Sequence, residues 1–314
     1  MRTTSTTGRI PSLSPLSSIE TRYRGLIGLL LISPWLAGLV IFKLVPIAAS
    51  FALSFSDFHL LDPGQTRFVG FNNYIYIMTD AKAGTAFVQT VRLALEIIPL
   101  QMFASIFFAA LLSSRSLLMK DTLRTLFFLP SIIPAFAAAL MWQGFVNPST
   151  GWLNRLLLRP LGLTALNHFS TRGASPGLFI LSSLWTVGPG ILIMMGSMQG
   201  ISSEIYEAAR IDGAGRLTRF FKITLPLITP AVFFTLVLNL TAALGGAILM
   251  DRGNGYRANA FSSYDGYVNT VLLDRLQLGY ASSLAWVFFV FVIIVVMILF
   301  STSNRWVYFP DREQ

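Results

Sequence analysis

Six apolar runs, each about as long as a helix that crosses a bilayer, constrain this chain more than any other feature of it. They fall at 26–45, 86–112, 123–145, 177–198, 225–250 and 280–301. A hydrocarbon core of roughly 30 Å is spanned by about 20 helical residues rising about 1.5 Å each. In lipid every backbone N–H and C=O must find its partner inside the segment or in a closed barrel. The runs are far longer than the alternating strands of a barrel, so they must be helices. The expected fold class is an all-α membrane protein with six transmembrane helices. Composition agrees, since 54% of the 314 residues are hydrophobic and only 12% charged, too apolar a balance for an ordinary soluble core.

The net charge of +9 invites a nucleic-acid reading, but a basic balance in a membrane protein follows from the positive-inside rule. Arg22, Arg24, Arg115, Lys120, Arg124, Arg210, Arg216, Arg219 and Lys222 crowd the N-terminal tail and the short connections on one side. The longer connections at 54–85, 146–176 and 251–279 carry fewer. Both termini are therefore expected in the cytoplasm, with lipid as the surroundings and no nucleic-acid partner.

Residues 1–25, rich in Ser, Thr and Arg with Pro11 and Pro15, read as a mostly disordered cytoplasmic tail. Residues 26–301 form the membrane domain and 302–314 a cytoplasmic C-terminal tail. The first apolar run outlasts a signal-peptide core and lacks a small-residue cleavage site directly after it, so it is expected to be retained. Pro34 and Pro46 are expected to bend it. No cysteine is present, and His59 and His168 stand alone in loops without a second imidazole at ligand spacing. With no GxxxxGK[ST] phosphate loop, HExxH motif, paired aspartates or placed Ser-His set, the chain offers no catalytic residue, no metal site and no nucleotide cradle of its own.

The inner connection at 199–225 is the most informative stretch. Ser202 or Ser203 can cap a short helix, Glu204 lies in its first turn where the helix dipole favours an anion, and Gly213 follows as the residue suited to a left-handed turn. Ile205, Ala208, Ala209 and Asp212 share a face on which two alanines leave room for another surface to come close. Leu217, Phe220 and Phe221 repeat the apolar pattern beyond the glycine. Physics alone leaves three readings: the face lies on lipid headgroups, packs on this protein's own helices, or seats in a partner.

The run Glu207-Ala208-Ala209, three residues, Gly213, nine residues, Ile223, one residue, Leu225-Pro226 resembles the EAA signature of binding-protein-dependent ABC importer permeases at every fixed position. Phe68-Val69-Gly70-Phe71-Asn72-Asn73-Tyr74, Phe127-Phe128-Leu129-Pro130, Asn147-Pro148 through Gly151 and Asn154, and Leu278-Gly279-Tyr280-Ala281 are similar to elements of the maltose and glycerol-phosphate type within that family. The stretch from Leu244 to Tyr264, with Gly245-Gly246 and Asp251-Arg252-Gly253-Asn254-Gly255, departs from that type. The resemblance implies a type I importer fold whose hairpin is a coupling helix seated in a groove of a separate ATPase. Glu207 would face a basic residue there, Ala208 and Ala209 would permit close approach, and Gly213 would make the turn, with Asp212, Leu217 and Phe220 completing the contact. It further implies a second homologous permease, two ATP-binding subunits that hold ATP and Mg, an extracytoplasmic solute-binding protein, and a sugar or polyol as cargo. The protein would sit in the bacterial cytoplasmic (inner) membrane.

Several residues are candidates for the solute pathway. Arg92 and Glu96 lie one turn apart inside the second run, where each charge costs about 2.5–3.5 kcal/mol on insertion scales. They read either as a self-contained i, i+4 pair or as a cavity carboxylate with its partner. Thr235, Asn239, Ala242 and Gly246 form a small and polar stripe on the fifth run, which suits either hydroxylated cargo or close helix packing. Ser182, Ser183, Trp185 and Thr186 precede the Gly188-Pro189-Gly190 break, and Trp185 could stack on a sugar ring or simply pack. The alternatives left standing are an ABC importer permease for a non-sugar solute, an ion-coupled secondary transporter using Arg92 and Glu96, and an intramembrane enzyme, for which no motif is found.

Overall fold

The computed structural model describes residues 17–114, 119–147, 150–162, 183–244 and 263–308. The chain divides into two units, Met1–Leu53 and Ser54–Gln314. Among the described residues its regular structure is helical, apart from two isolated bridges, Ser56 to Phe68 and His59 to Gln277. Three helices are long and apolar enough to span a membrane, Ile27–Leu53, Ala81–Leu112 and Leu278–Ser303, or four if a bent pair counts as one span.

The first unit is a rod made of α1 (Ser17–Leu39), one wide turn of π-helix at Val40–Leu44, and α2 (Val45–Leu53). Pro34, expected to bend the helix, lies inside α1 without ending it. Pro34 has no N–H for the Leu30 carbonyl, and the Ser33 hydroxyl donates to that oxygen instead at 2.8 Å. Pro46 is absorbed differently, because its ring presses on the carbonyl one turn back and the turn ahead of it opens to an i to i+5 pattern, Val45 N–H donating to Val40 O. The apolar helix therefore runs on to Leu53 rather than ending at 45. The same device recurs at Leu153–Leu158 before Pro160 and at Phe220–Thr224 before Pro226.

The second unit is built around α4 (Ala81–Leu112), which follows α3 (Asn72–Thr79). Asp80 caps α4, its carboxylate accepting from Lys82 N at 2.9 Å and Ala83 N at 3.4 Å, so the helix starts five residues before the apolar run at 86. At about 1.5 Å per residue α4 is about 48 Å long, enough to overshoot a bilayer core at both ends. The third apolar run is not one helix. Pro134 biases Ile133 to extended backbone, which ends α5 (Lys120–Ile132) before α6 (Ala135–Val146) begins. Of the fourth run, α7 (Gly188–Gln199) is described; Ser182 and the upper part of that run lie outside the described residues. Then come α8 (Ser203–Ile211), α9 (Arg216–Arg219), α10 (Thr229–Leu244), α11 (Tyr264–Asn269) and α12 (Leu278–Ser303).

Side-chain neighbours fix the directions of these helices. Gly190 lies beside Ser105 and Met198 beside Ser113, so α7 runs parallel to α4. Thr235 neighbours Gly190 while Asn239 reaches back to Met102, so α10 runs the other way. Tyr280 meets the start of α4 at Asp80, and Phe291 stacks edge-on against Phe87 further along, so α12 again runs parallel to α4. The core holds Ile97 and Ile98 of α4, Ile191 and Met194 of α7, Leu244 of α10 and Leu284 and Phe288 of α12. The opposite faces are also apolar, with Phe289, Ile294, Met297 and Ile298 of α12 exposed. Helices greasy on both sides belong in lipid, where packing and interhelical polar contacts rather than hydrophobic burial hold them together.

Candidate functional site

Three groups of candidate side chains lie along this bundle: a hairpin at the end where α4 and α7 finish, a polar cluster at its middle, and a cap at the end where α4 begins.

The hairpin is specified locally. Ser202 caps α8 by accepting from Glu204 N at 3.3 Å. The helix ends in a Schellman arrangement, with Gly213 N donating to Arg210 O at 3.1 Å and Ala214 N to Ala209 O at 2.9 Å. That closure puts Gly213 at φ +79°, a conformation a side chain would strain. The expected shared face divides in two: Tyr206 and Ala209 turn half-buried toward the protein, while Ile205, Glu207, Ala208, Ile211 and Asp212 are exposed. Ile211 is 88% and Leu217 75% exposed, whereas Phe220 packs half-buried against the core. Glu207 makes no ion pair among the described residues. Beyond the hairpin, Arg216–Leu227 and Thr229–Leu244 meet at a bend of 64°. Pro230 strips the Pro226 carbonyl of its N–H partner, and the Thr229 hydroxyl donates to that oxygen at 2.6 Å. The C-terminal segment closes over this bend, with Tyr308 N donating to Thr229 Oγ1 at 2.8 Å and Trp306 edge-on to Phe233.

At mid-bundle α7 crosses α4 and α10 at its Gly188-Pro189-Gly190 start. A Cβ on Gly190 would lie 2.5 Å from Ser105 Oγ and 3.6 Å from the Thr235 methyl. Gln101, one turn before Ser105, donates from Nε2 to Ser183 O at 3.0 Å. Gln101 Oε1, Ser105 Oγ and Thr235 Oγ1 are buried and have no hydrogen-bond partner among the described residues. Buried polar groups are expensive to leave unpaired in an apolar interior, so this cluster has hydrogen-bonding capacity to spare. Asn239 spends one N–H weakly, on Met102 Sδ at 3.6 Å. Trp185 stands edge-on to Trp142 with centroids 5.7 Å apart, and the exposed Thr186 donates to Ser183 O at 3.0 Å. Ala242 is half-buried on α10, while Gly246 and Ser182 lie outside the described residues. Arg92 and Glu96 pair with each other at 2.9 Å, with side chains 75% and 34% exposed, and neither joins the cluster. Gln101 and Ser105 were not singled out from the sequence, although their i, i+4 spacing in an apolar run was a usable signal.

The cap gathers three separated segments. Asn73 donates to both Ser54 O at 2.9 Å and Ser56 O at 3.0 Å, and Tyr74 and Ser54 share a hydrogen bond of 2.7 Å. The element at Phe68–Tyr74 thus serves as a backbone clamp. Leu60 N to Leu276 O and Gly279 N to Phe58 O tie that clamp to the start of α12. Asp80 is its centre, accepting from the hydroxyls of Tyr267 and, at 2.7 Å, Tyr280 besides its two backbone N–H groups. Burial pushes the Asp80 carboxyl up, but the bonds from Tyr267, Tyr280, Lys82 and Ala83 outweigh it and hold the group below its ordinary 3.8. Burial, then the hydrogen bond to Asp80, pushes Tyr267 up to about 12, with Arg275 opposing from over its ring. Tyr267 is a neutral donor at any physiological pH.

A carboxyl depressed in the folded state contributes stability above its unfolded value and loses it as pH falls through the folded one. The cap should therefore be unaffected near neutrality and loosen only below pH 3.8. Asp80→Ala should cost about 2 kcal/mol, through a lost helix cap and two tyrosine hydroxyls left without their acceptor. Thermal unfolding in detergent, with faster amide exchange at Lys82 and Ala83, checks this. Unchanged unfolding would show that the cap carries no strain of the bundle.

The profile of the family described as binding-protein-dependent transport system inner membrane component matches residues 101–309. The chain is 33% identical over 304 residues to the probable ABC transporter permease protein YesP of Bacillus subtilis (strain 168), covering 95% of this chain and 96% of that one. It is 34% identical over 219 residues to the sn-glycerol-3-phosphate transport system permease protein UgpA of Escherichia coli O157:H7, covering 68% and 72%. Among solved structures, a chain of a bacterial alginate ABC transporter, in complex with an alginate pentasaccharide-bound periplasmic protein, superposes with a TM-score of 0.78. That match has 19% identity and covers 91% of this chain and 96% of the other.

Proposed function

This chain belongs to the inner-membrane components of binding-protein-dependent transport systems, and from that premise we propose that it is the permease subunit through which an ATP-driven importer passes a sugar or polyol. The observation that carries the proposal is the hairpin. It is a capped helix and a glycine turn, exposing Glu207, Ala208, Ile211 and Leu217 at one end of the bundle. Apolar side chains so exposed, on a segment with no core of its own, suit helix-in-groove recognition by a partner. The partner is a separate ATPase, two copies of which bind ATP and Mg. A second homologous permease completes a pathway of six helices from each chain, and both termini face the cytoplasm. The cap around Asp80 then faces outward, toward a solute-binding protein.

Nothing in this chain makes or breaks covalent bonds. Its task is to present a cavity alternately to the two sides as the ATPases close and open, a switch between two packed arrangements. The cargo class rests on chemistry at mid-bundle and on what the relatives are named for. Gln101, Ser105, Thr235 and Asn239 offer amide and hydroxyl groups, which suit a hydroxyl-bearing solute such as a sugar or polyol. Arg92 and Glu96 pair with each other, which supports the reading of them as a self-contained pair rather than an ion-coupling site.

Reconstitution of the complex in liposomes tests this directly. Uptake of the sugar delivered by the binding protein should require internal ATP and persist when ion gradients are collapsed. Asn239→Ala should then weaken uptake about threefold to tenfold, the worth of one hydrogen bond, with subunit assembly intact. Uptake driven by an ion gradient without ATP would reject the reading, and unchanged kinetics in Asn239→Ala would remove that residue from the pathway.

A further inference from the structure

The turn that joins α8 to the rest of the chain contains Gly213, at φ +79°, and Gly215. A short helix hung on a turn with two glycines can rock without moving the helices beyond it. One side-chain bond bypasses that turn. The Tyr206 hydroxyl and Thr224 Oγ1 are 2.8 Å apart, and among the described residues no other side-chain hydrogen bond links α8 to the chain beyond it. Thr224 Oγ1 also lies 3.5 Å from Arg219 O, a carbonyl that can only accept. With the threonine proton on that carbonyl and the tyrosine donating to the threonine, both contacts are satisfied; either hydroxyl can donate in the 2.8 Å bond itself.

Where Thr224 sits gives this bond its meaning. It is the buried last residue of the widened turn Phe220–Thr224, and its carbonyl accepts from Ile228 N at 3.0 Å, directly at the 64° bend into α10. α10 carries Thr235 and Asn239 into the mid-bundle cluster. A displacement of α8 thus has a stiff route to the polar cluster: Tyr206, Thr224, the bend at Ile228, then α10. We propose that Tyr206 is a positioning residue which transmits movement of the hairpin to the membrane helices by holding Thr224. The proposal rests on the reading of the hairpin as the seat of the ATPase.

The test is the number of solute molecules imported per ATP hydrolysed by the reconstituted complex. Tyr206→Phe keeps the half-buried ring and removes only the hydroxyl, and it should lower that ratio about threefold to tenfold while the ATPase still co-purifies. Thr224→Val should do the same, Thr224→Ser should retain the wild-type ratio, and the double variant Tyr206→Phe with Thr224→Val should be no worse than either single, because both break one bond. A wild-type ratio in Tyr206→Phe with the ATPase bound overturns the proposal and leaves the hairpin reading standing. Additive losses in the double variant overturn it too, since the residues would then act separately. Binding of the ATPase that is indifferent to Glu207→Lys sinks the hairpin reading instead.

Discussion

Glu207→Lys should abolish ATP-driven uptake, by about a hundredfold or more, while the protein inserts and accumulates as the wild type does. The physical basis is that the substitution costs the chain itself almost nothing. Glu207 is exposed in the middle of α8 and has no ion pair among the described residues, and an exposed substitution of that kind shifts stability by about 0.5 kcal/mol or less. A large functional loss must then come from the surface of a partner. Reversing a charge at a closed interface both removes a partner and sets like charges together, which costs far more than it would in water. Glu207→Gln, which keeps an acceptor without the charge, should fall between the two. Uptake by the Lys variant at the full rate would mean that nothing docks on this face of α8.

The hairpin was legible in the sequence because its determinants are local. A serine cap, an acidic first turn and a glycine end lie within a dozen or so residues of one another, and the Schellman closure at Gly213 needs no help from elsewhere. The longest spans were legible for a similar reason, composition alone distinguishing Ala81–Leu112 and Leu278–Ser303. Their boundaries were not, since side chains and prolines act at the ends: Asp80 adds a turn to α4, and the π turn ahead of Pro46 carries the first span to Leu53. The third run read as one helix only because its apolar content concealed Pro134. What no local pattern could give is who meets whom. Asp80 finds Tyr267 and Tyr280 across 187 and 200 residues, and Gln101 finds Ser183 across 82. Thr235 and Asn239 were visible as a polar stripe on one helix, but Ser105 joins them only because α7 crosses at Gly190.

A side chain at Gly188, at the start of α7, should disrupt the packing of this part of the bundle. A Cβ at Gly188 would run into the Phe127 carbonyl oxygen and stand 3.0 Å from the Phe128 Cα, both backbone atoms of α5 that no rotamer change can move aside. Gly188→Leu should therefore push α7 away from α5. The contact of α7 with α4 and α10 opens with it, since Ser105 and Thr235 close on Gly190 one half-turn further on. In lipid the separated helices recover no water-driven penalty, but they lose the dispersion contacts that hold a bundle whose surroundings are as apolar as its core. Overpacking of this kind costs about 1–3 kcal/mol where side chains can yield, and more here because backbone is involved. The expected result is little or no folded protein recovered from membranes, measured by detergent-solubilised yield and a monodisperse elution profile. Gly196→Leu supplies the control on the same helix, where a Cβ meets nothing within 4 Å, and its yield should match the wild type. Equal yields from both variants would mean that α7 does not pass against α5 at Gly188, and the arrangement of polar groups around Gly190 would lose its support.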